Sequence, residues 1–378
     1  MKVLSIFGTR PEAIKMAPLV VKLKQNEHIN SAVCVTGQHR EMLDQVLELF
    51  DIIPDYDLNV MKKNQTLSEV TSRIITNLSP ILKEFQPDLI LVHGDTTTTF
   101  TAALSGFYHQ ISVGHVEAGL RTGNIFSPWP EEANRKLVSC LTEMHFAPTE
   151  QAMVNLKEEN IEEDKITITG NTVIDALMMI KDNIESDSSL QENLNKNFPF
   201  IDDGKRIVLV TGHRRENFGQ GFENICESIK SLAIRNIDVN FVYPVHLNPK
   251  VREPVNLLLS DIENIHLIEP QGYLEFVYLM IKSHIILTDS GGIQEEAPAL
   301  GKPVVVMRNT TERPEAVAAG TVVLVGTDKN KIVNTIDSLL SNEEKYREMS
   351  LAHNPYGDGT ASDKIIQQII DRMGGIND

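Results

Sequence analysis

Short runs of β-branched and apolar residues alternate along this chain with longer stretches of helical period, and that alternation limits the possible folds more than any other feature. The runs are Val3–Phe7, Ser31–Thr36, Asp88–His93, Ile111–Val116 and Met144–Ala147, then Arg206–Thr211, Val239–Tyr243, Ile265–Ile268, Ile285–Thr288, Val304–Met307 and Val322–Val325. Strands separated by helix-length crossovers pair in parallel, so the pattern implies βαβ units. The first crossover shows the helical period plainly. Pro11 suits position N1, and Ala13, Met16, Ala17, Val20 and Leu23 recur on one face.

From Asp175 to Asp203 the alternation gives way to Asp-, Ser- and Asn-rich sequence, and a domain boundary is expected there. A chain of 378 residues also exceeds what one core usually spans. The expected fold is therefore α/β, with two Rossmann-like doubly wound domains over residues 1–175 and 200–358 and a cleft between them available as a site. After the break Pro355-Tyr356-Gly357-Asp358-Gly359, a C-terminal helix is expected over 361–375.

Charge and cysteine content exclude several functions. With 35 basic and 52 acidic side chains the net charge is -17, the wrong sign for following a phosphate backbone, so no nucleic-acid partner is expected. Cys34, Cys140 and Cys226 are widely spaced and odd in number, which argues against a disulfide framework or a cysteine zinc site. No run has the length of a membrane span, and Val3–Phe7 is too short for a signal sequence. The reading is cytoplasmic, with no membrane association. His93, His115 and His213 show no paired metal-ligand spacing, and no G-x-S-x-G elbow is present, so neither a metal site nor serine hydrolysis is expected.

Ligands of doubly wound domains sit beyond the carboxyl ends of the strands, which directs attention to the residues following each run. Gly8-Thr9-Arg10-Pro11-Glu12 lacks the G-x-G-x-x-G spacing of a dinucleotide site, so no NAD is expected. Arg10 and Lys15 could act with a helix N-terminus on phosphate or carboxylate, or be ordinary solvated cations. Asp95, ahead of four threonines, is either an N-cap or a functional carboxylate. Glu117 follows the next run, and Glu131 and Glu132 open a helix after Pro130, where first-turn acids are commonplace. Three strand-end carboxylates together suggest proton transfer. In the second half, Gly212-His213-Arg214-Arg215 forms a cationic turn suited to a diphosphate. Ser290-Gly291-Gly292 bares amides ahead of a helix, and Glu296 could accept from both hydroxyls of a ribose.

GTRPEAIKMAPL, TGQHREMLDQ, HGDTTTT, HVEAGLRTG, PEEANR, TGHRREN and TDSGGIQEEAPALGKPVVVMRNTTERPEA occur together and in this order. In this the chain resembles, over essentially its whole length, the non-hydrolysing bacterial UDP-N-acetylglucosamine 2-epimerases. The resemblance implies a glycosyltransferase-B-like fold whose last helix crosses back to the first domain, and a homodimer. It also implies interconversion of UDP-GlcNAc and UDP-ManNAc for cell-envelope polysaccharides, without a cofactor. UDP is eliminated to leave 2-acetamidoglucal and is then re-added, with the proton delivered to the opposite face.

By the same resemblance Asp95, Glu117 and Glu131 handle protons, and His213 stabilises the departing diphosphate with Arg10. Ser290, Gly291 and Gly292 seat its oxygens, Glu296 holds the ribose, Gln271 and Phe276 lie near the uracil, and Arg313 contacts the nucleotide. Lys15 is expected among the substrate-binding residues. Some relatives bind a second UDP-GlcNAc as activator through segments matching Gln38, His39 and Gln65. Glu41 and Asn64 stand where some members have Gln and Arg. The rival readings are a retaining UDP-sugar glycosyltransferase, which would need acceptor space where the carboxylates crowd, a hydrolysing epimerase, and a non-catalytic UDP-sugar sensor.

Overall fold

The computed structural model describes residues 1–37, 40–62, 64–201 and 204–374. The chain divides into two units, one formed by Met1–Ala176 with Tyr356–Asp378 and the other by Leu177–Pro355.

The first unit is built on seven parallel strands: β1 (Lys2–Phe7), β2 (Asn30–Val35), β3 (Tyr56–Asp57), β4 (Leu89–His93), β5 (Ser112–Val116), β6 (Met144–Ala147) and β7 (Ile166–Ile168). Their order across the sheet is β3-β2-β1-β4-β5-β6-β7. The strand order reverses between β1 and β4, so the turns after these two strands diverge and leave a crevice at the carboxyl edge. The central strands are buried on both faces, which is why they read as unbroken apolar runs.

The helix Arg10–Gln25 begins with a capping box. Thr9 is the N-cap, the Glu12 side chain returns to the Thr9 amide, and Arg10, ahead of Pro11, is the first helical residue. Its expected inner face is buried: Ala13, Met16, Ala17, Val20 and Leu23 are at most 1% exposed. Gly8 lies so close to the Thr36 and Thr98 hydroxyls that a Cβ there would collide with both.

The last helix, Ala361–Met373, packs on the helix Arg10–Gln25 of the same unit. Thr360 supplies no side-chain cap. Instead Asp175, 2% exposed, accepts from the amides of Ser362 at 2.7 Å and Ala361 at 3.2 Å.

The second unit carries six parallel strands: β8 (Arg206–Thr211), β9 (Val239–Pro244), β10 (Ile265–Ile268), β11 (Ile285–Thr288), β12 (Val304–Val306) and β13 (Val322–Leu324). Their order is β10-β9-β8-β11-β12-β13, the Rossmann order, with its switch point between β8 and β11.

Several local features go beyond the sequence reading. Helices Thr172–Ser186 and Ser188–Asn197 run through the interval in which the domain boundary is expected. Val173, Ile174, Leu177, Ile180 and Ile184 bury one face of the former, while Asp187 caps the latter. The strands β3 and β7, two and three residues long, are additional. Thr96, not Asp95, caps the helix Thr97–Tyr108.

Candidate active site

Asp95 leaves β4 one residue after Gly94, with Thr96 taking the capping role, so its carboxylate is available for other contacts. Arg135 donates to Asp95 Oδ2 through Nε at 2.9 Å and Nη2 at 2.7 Å, and Asn134 Nδ2 donates to the Asp95 carbonyl at 2.8 Å. Burial alone would lower the Arg135 pKa, but Asp95 and Glu132 outweigh it and hold the guanidinium charged. Asp95 and Glu131 line one hollow of about 480 Å³ with Thr9, Asn64, Gln65 and Pro130. Glu131 is half-buried at the first position of the helix Glu131–Leu141. Its neighbour Glu132, fully buried, accepts from the amides of Thr122 and Gly123 and from Arg135, which fixes the preceding loop against the helix.

Glu117 leaves β5 with φ at 64°, a left-handed conformation that a non-glycine residue adopts at a cost of about 1 kcal/mol or more. Surrounding contacts hold it there. Lys15 forms an ion pair with Glu117 Oε2, Asn171 Nδ2 donates to the same oxygen at 2.8 Å, and His93 Nε2 lies 3.9 Å away. A Cβ on Gly94 would stand 3.7 Å from Glu117 Oε1, which places the pair beside the residue preceding Asp95. Lys15 is therefore a paired cation close to the carboxylates. Arg10 is half-buried at the helix start and has no ion-pair partner among the described residues.

Glu12 joins the turns that follow β1 and β4. Its carboxylate accepts from the amides of Gly8 at 3.1 Å and Thr9 at 2.8 Å, and from the hydroxyls of Thr96 at 2.7 Å and Thr99 at 3.2 Å. Burial raises its pKa, against the pull of those hydrogen bonds. Beneath the same edge, His93, His115 and His145 lie on three adjacent strands. Burial drives their pKa values down to about 4, 3 and 3, so all three are neutral imidazoles at pH 7.

In the second unit His213 follows β8 and is 45% exposed at its side chain. It stacks on His246, with centroids 5.2 Å apart and planes 11° from parallel. Asp289, at the end of β11 and fully buried, accepts at Oδ2 from the amides of His213 at 2.9 Å and Arg214 at 2.8 Å. Burial lowers the pKa of His213, while Asp289 opposes the shift. Gly291 is approached by two guanidinium groups, since a Cβ there would meet Arg313 Cζ at 3.7 Å and Arg214 Nη2 at 3.8 Å. The Ser290-Gly291-Gly292 turn leads into a helix of only seven residues, Ile293–Ala299, so side-chain cations rather than a long helix supply most of the local positive potential.

Glu296, 8% exposed, accepts from the Tyr273 hydroxyl at 2.8 Å. Arg313 Nε donates to the buried Glu295 at 2.5 Å. Gln271 Nε2 donates to the Glu269 carbonyl at 2.6 Å, and Phe276 is half-buried on the helix Tyr273–Lys282. Gln65, on the hollow that holds Asp95, accepts from the Lys62 amide and from Arg73. Gln38 and His39 lie outside the described residues.

Sequence reasoning missed the residues that hold these groups: Arg135, Asn171, Glu12, Asp289 and Tyr273. Arg135 and Glu12 had local signals: Arg135 lies four residues after Glu131 and shares its helix face, and Glu12 stands three residues after Thr9 in a capping box. Among the described residues no three His, Cys, Asp or Glu side chains stand close enough to hold a metal ion, and no helix is long and apolar enough to cross a membrane.

Two Rossmann-ordered units, one with carboxylates at its switch point and one with a cationic Gly-Gly turn, define an α/β protein of the glycosyltransferase-B-like class. Over residues 21–370 the sequence matches the family described as UDP-N-acetylglucosamine 2-epimerase, and the chain belongs to that family of isomerases. The UDP-N-acetylglucosamine 2-epimerase of Escherichia coli (strain K12) is 60% identical over 369 residues, covering 98% of each chain. The crystal structure of UDP-GlcNAc 2-epimerase from Neisseria meningitidis bound to UDP-GlcNAc matches with TM-score 0.89 and 57% identity, over 98% of this chain and 100% of that one. The Methanocaldococcus jannaschii UDP-GlcNAc 2-epimerase in complex with UDP-GlcNAc and UDP matches with TM-score 0.77 and 34% identity, over 98% and 100%.

Proposed function

We propose that this protein reversibly inverts C2 of UDP-N-acetylglucosamine to give UDP-N-acetylmannosamine, through elimination of UDP to 2-acetamidoglucal and re-addition. The observation that carries the reading is the placing of Asp95 and Glu131 on one hollow, with the Lys15–Glu117 pair beside Gly94. The C2 hydrogen is not activated by a carbonyl, so a base alone has little prospect of removing it. Departure of the diphosphate first builds oxocarbenium character at C1, which acidifies that hydrogen, and carboxylates nearby stabilise the cation. Inversion needs proton transfer on both faces of the sugar, and the set Asp95, Glu117 and Glu131 supplies more than one carboxylate for it. Arg10 and His213 neutralise the leaving diphosphate, and Ser290, Gly291 and Gly292 seat it with Arg313. Glu296, oriented by Tyr273, takes the ribose hydroxyls, and Gln271 and Phe276 take the uracil.

The remaining family expectations belong to the same proposal: a homodimer in the cytoplasm, with a second UDP-GlcNAc near Gln65 as activator and products that feed cell-envelope polysaccharides. No cofactor takes part. A retaining transferase would need acceptor space where these carboxylates crowd, and a sensor has no use for them. Incubation with UDP-GlcNAc alone in deuterated water, followed by proton NMR, tests the reading. Formation of UDP-ManNAc with deuterium at C2 of both epimers is expected. Unchanged, undeuterated substrate at millimolar concentration overturns it.

A further inference from the structure

One buried charge remains only half-used in the second unit. Asp289 is fully buried at the switch point, and its Oδ2 collects the amides of His213 and Arg214 and, at 3.4 Å, Asn217 Nδ2. Its other oxygen, Oδ1, is buried with no hydrogen-bond partner. A desolvated carboxylate oxygen in that position is expensive, and native proteins rarely leave one without a use. It points toward His213, whose Nδ1 is 3.7 Å away, a gap that a modest rotation of the imidazole closes to hydrogen-bond length.

The ring has a defined setting. It stacks flat on His246, whose own Nδ1 accepts from the Asn248 amide at 3.1 Å and is thereby fixed as the acceptor nitrogen. The His213 side chain is 45% exposed, on a turn that also holds Arg214, whose Nη2 lies near Gly291.

We propose that Asp289 is the positioning residue for His213: its free Oδ1 takes the Nδ1 hydrogen of the imidazole, turns Nε2 toward an anionic ligand, and stabilises the ring as a cation when that anion arrives. This rests on the reading above that His213 meets the diphosphate. The groups that bear on the ring's charge are Asp289, which favours protonation, and His246 and Arg214, which oppose it with burial. In the absence of ligand the opposing influences prevail and the ring is neutral at pH 7. The diphosphate adds negative charge on the Nε2 side, and the ring then takes one proton from solvent. Asp289 thus couples nucleotide binding to proton uptake.

Titration calorimetry of the full chain with UDP, at pH 7 in buffers of different ionisation enthalpy, reads that proton directly. Wild type is expected to take up a substantial fraction of one proton per UDP. His213→Asn should abolish the uptake. Asp289→Asn should also abolish it, because the amide offers Nδ1 a donor where a cationic ring needs an acceptor, and should weaken UDP binding at least tenfold. In the His213→Asn background Asp289→Asn should change UDP affinity less than twofold. Uptake lost in His213→Asn but kept in Asp289→Asn overturns the role of Asp289. Uptake and affinity unchanged in His213→Asn overturn the diphosphate reading instead. Should Asp289→Asn fail to fold, imidazole NMR of the wild type with UDP decides: a protonated His213 ring with a slowly exchanging Nδ1 proton supports the coupling, and a neutral ring refutes it.

Discussion

Three neutral histidines beneath the carboxyl edge of the first sheet make its stability depend strongly on pH. His93, His115 and His145 lie on β4, β5 and β6, and burial holds their pKa values at about 4, 3 and 3 against 6.5 for a free imidazole. A base whose folded value is depressed contributes stability above its unfolded value and loses it as the pH falls through the gap. At pH 5, about 1.5 units below the free value, each unfolded imidazole is protonated, and each unit is worth about 1.4 kcal/mol. The folded state remains unprotonated at these sites, so each histidine costs the fold about 2 kcal/mol and the three together about 6, comparable with the whole stability of many domains. Urea unfolding at pH 7, 6 and 5, with hydrogen exchange of the β4–β6 amides as the readout for this unit, measures the loss. Acidification also relieves the repulsion of a chain with net charge -17, which works in the opposite sense. The comparison is therefore made against His145→Met, which keeps a similar volume and removes one titrating group. Its stability should fall by about 2 kcal/mol less than wild type between pH 7 and pH 5. Equal losses in the two proteins refute the assignment of a buried neutral histidine at this position.

Asp95→Asn should leave UDP affinity within about threefold while lowering kcat by about 10² to 10⁴, as expected for a proton-transfer group; calorimetry and turnover together check this, and loss of UDP binding would move Asp95 to a structural role. Glu12→Gln should grow more stable relative to wild type as pH rises. The raised Glu12 value means its contribution is full below 4.5 and lost as pH rises through the folded value, whereas the amide does not titrate. Denaturation at pH 4.5 and 7 tests the sign, and a stability of Glu12→Gln that falls relative to wild type as pH rises contradicts it. Asp175→Ala should destabilise the first unit by about 2 kcal/mol, because two buried amide bonds to the last helix are lost, seen as early hydrogen exchange over 361–373. Gly119→Ala should cost at least as much, since φ there is 91° and a Cβ would strike the Ala152 carbonyl, measurable as a lowered urea midpoint.

The doubly wound pattern was legible because strands buried on both faces leave unbroken apolar runs, and the switch-point turns then follow from topology. What escaped were elements too short to show a period. Tyr56–Asp57 and Ile166–Ile168 lie at the two edges of their sheet, where a few residues suffice for pairing. The helices after Asp175 escaped because amphipathic segments with polar outer faces show no continuous apolar run when composition is averaged over both faces. Candidate site residues were visible as charged side chains after strands. Their holding partners were not, because the contacts Arg135 to Asp95, Asn171 to Glu117 and Asp289 to His213 span 40, 54 and 76 positions in the chain. No local pattern encodes such pairings.

The docking of the helix Ala361–Met373 onto the helix Arg10–Gln25 bears on how the chain matures. The second unit, Leu177–Pro355, is in effect inserted into the first, so a ribosome delivers every strand of the carboxylate-bearing sheet long before the helix that completes its packing. Until then the buried Asp175 has no amides to accept from, and the apolar inner face Ile365, Ile366 and Ile369 has not yet been made. The inserted unit has no such dependence and can fold while its host is unfinished. Maturation of the half that bears Asp95, Glu117 and Glu131 is thus timed to the emergence of residues 361–373, and truncations just short of residue 361 should yield chains with one well-folded half and one labile half.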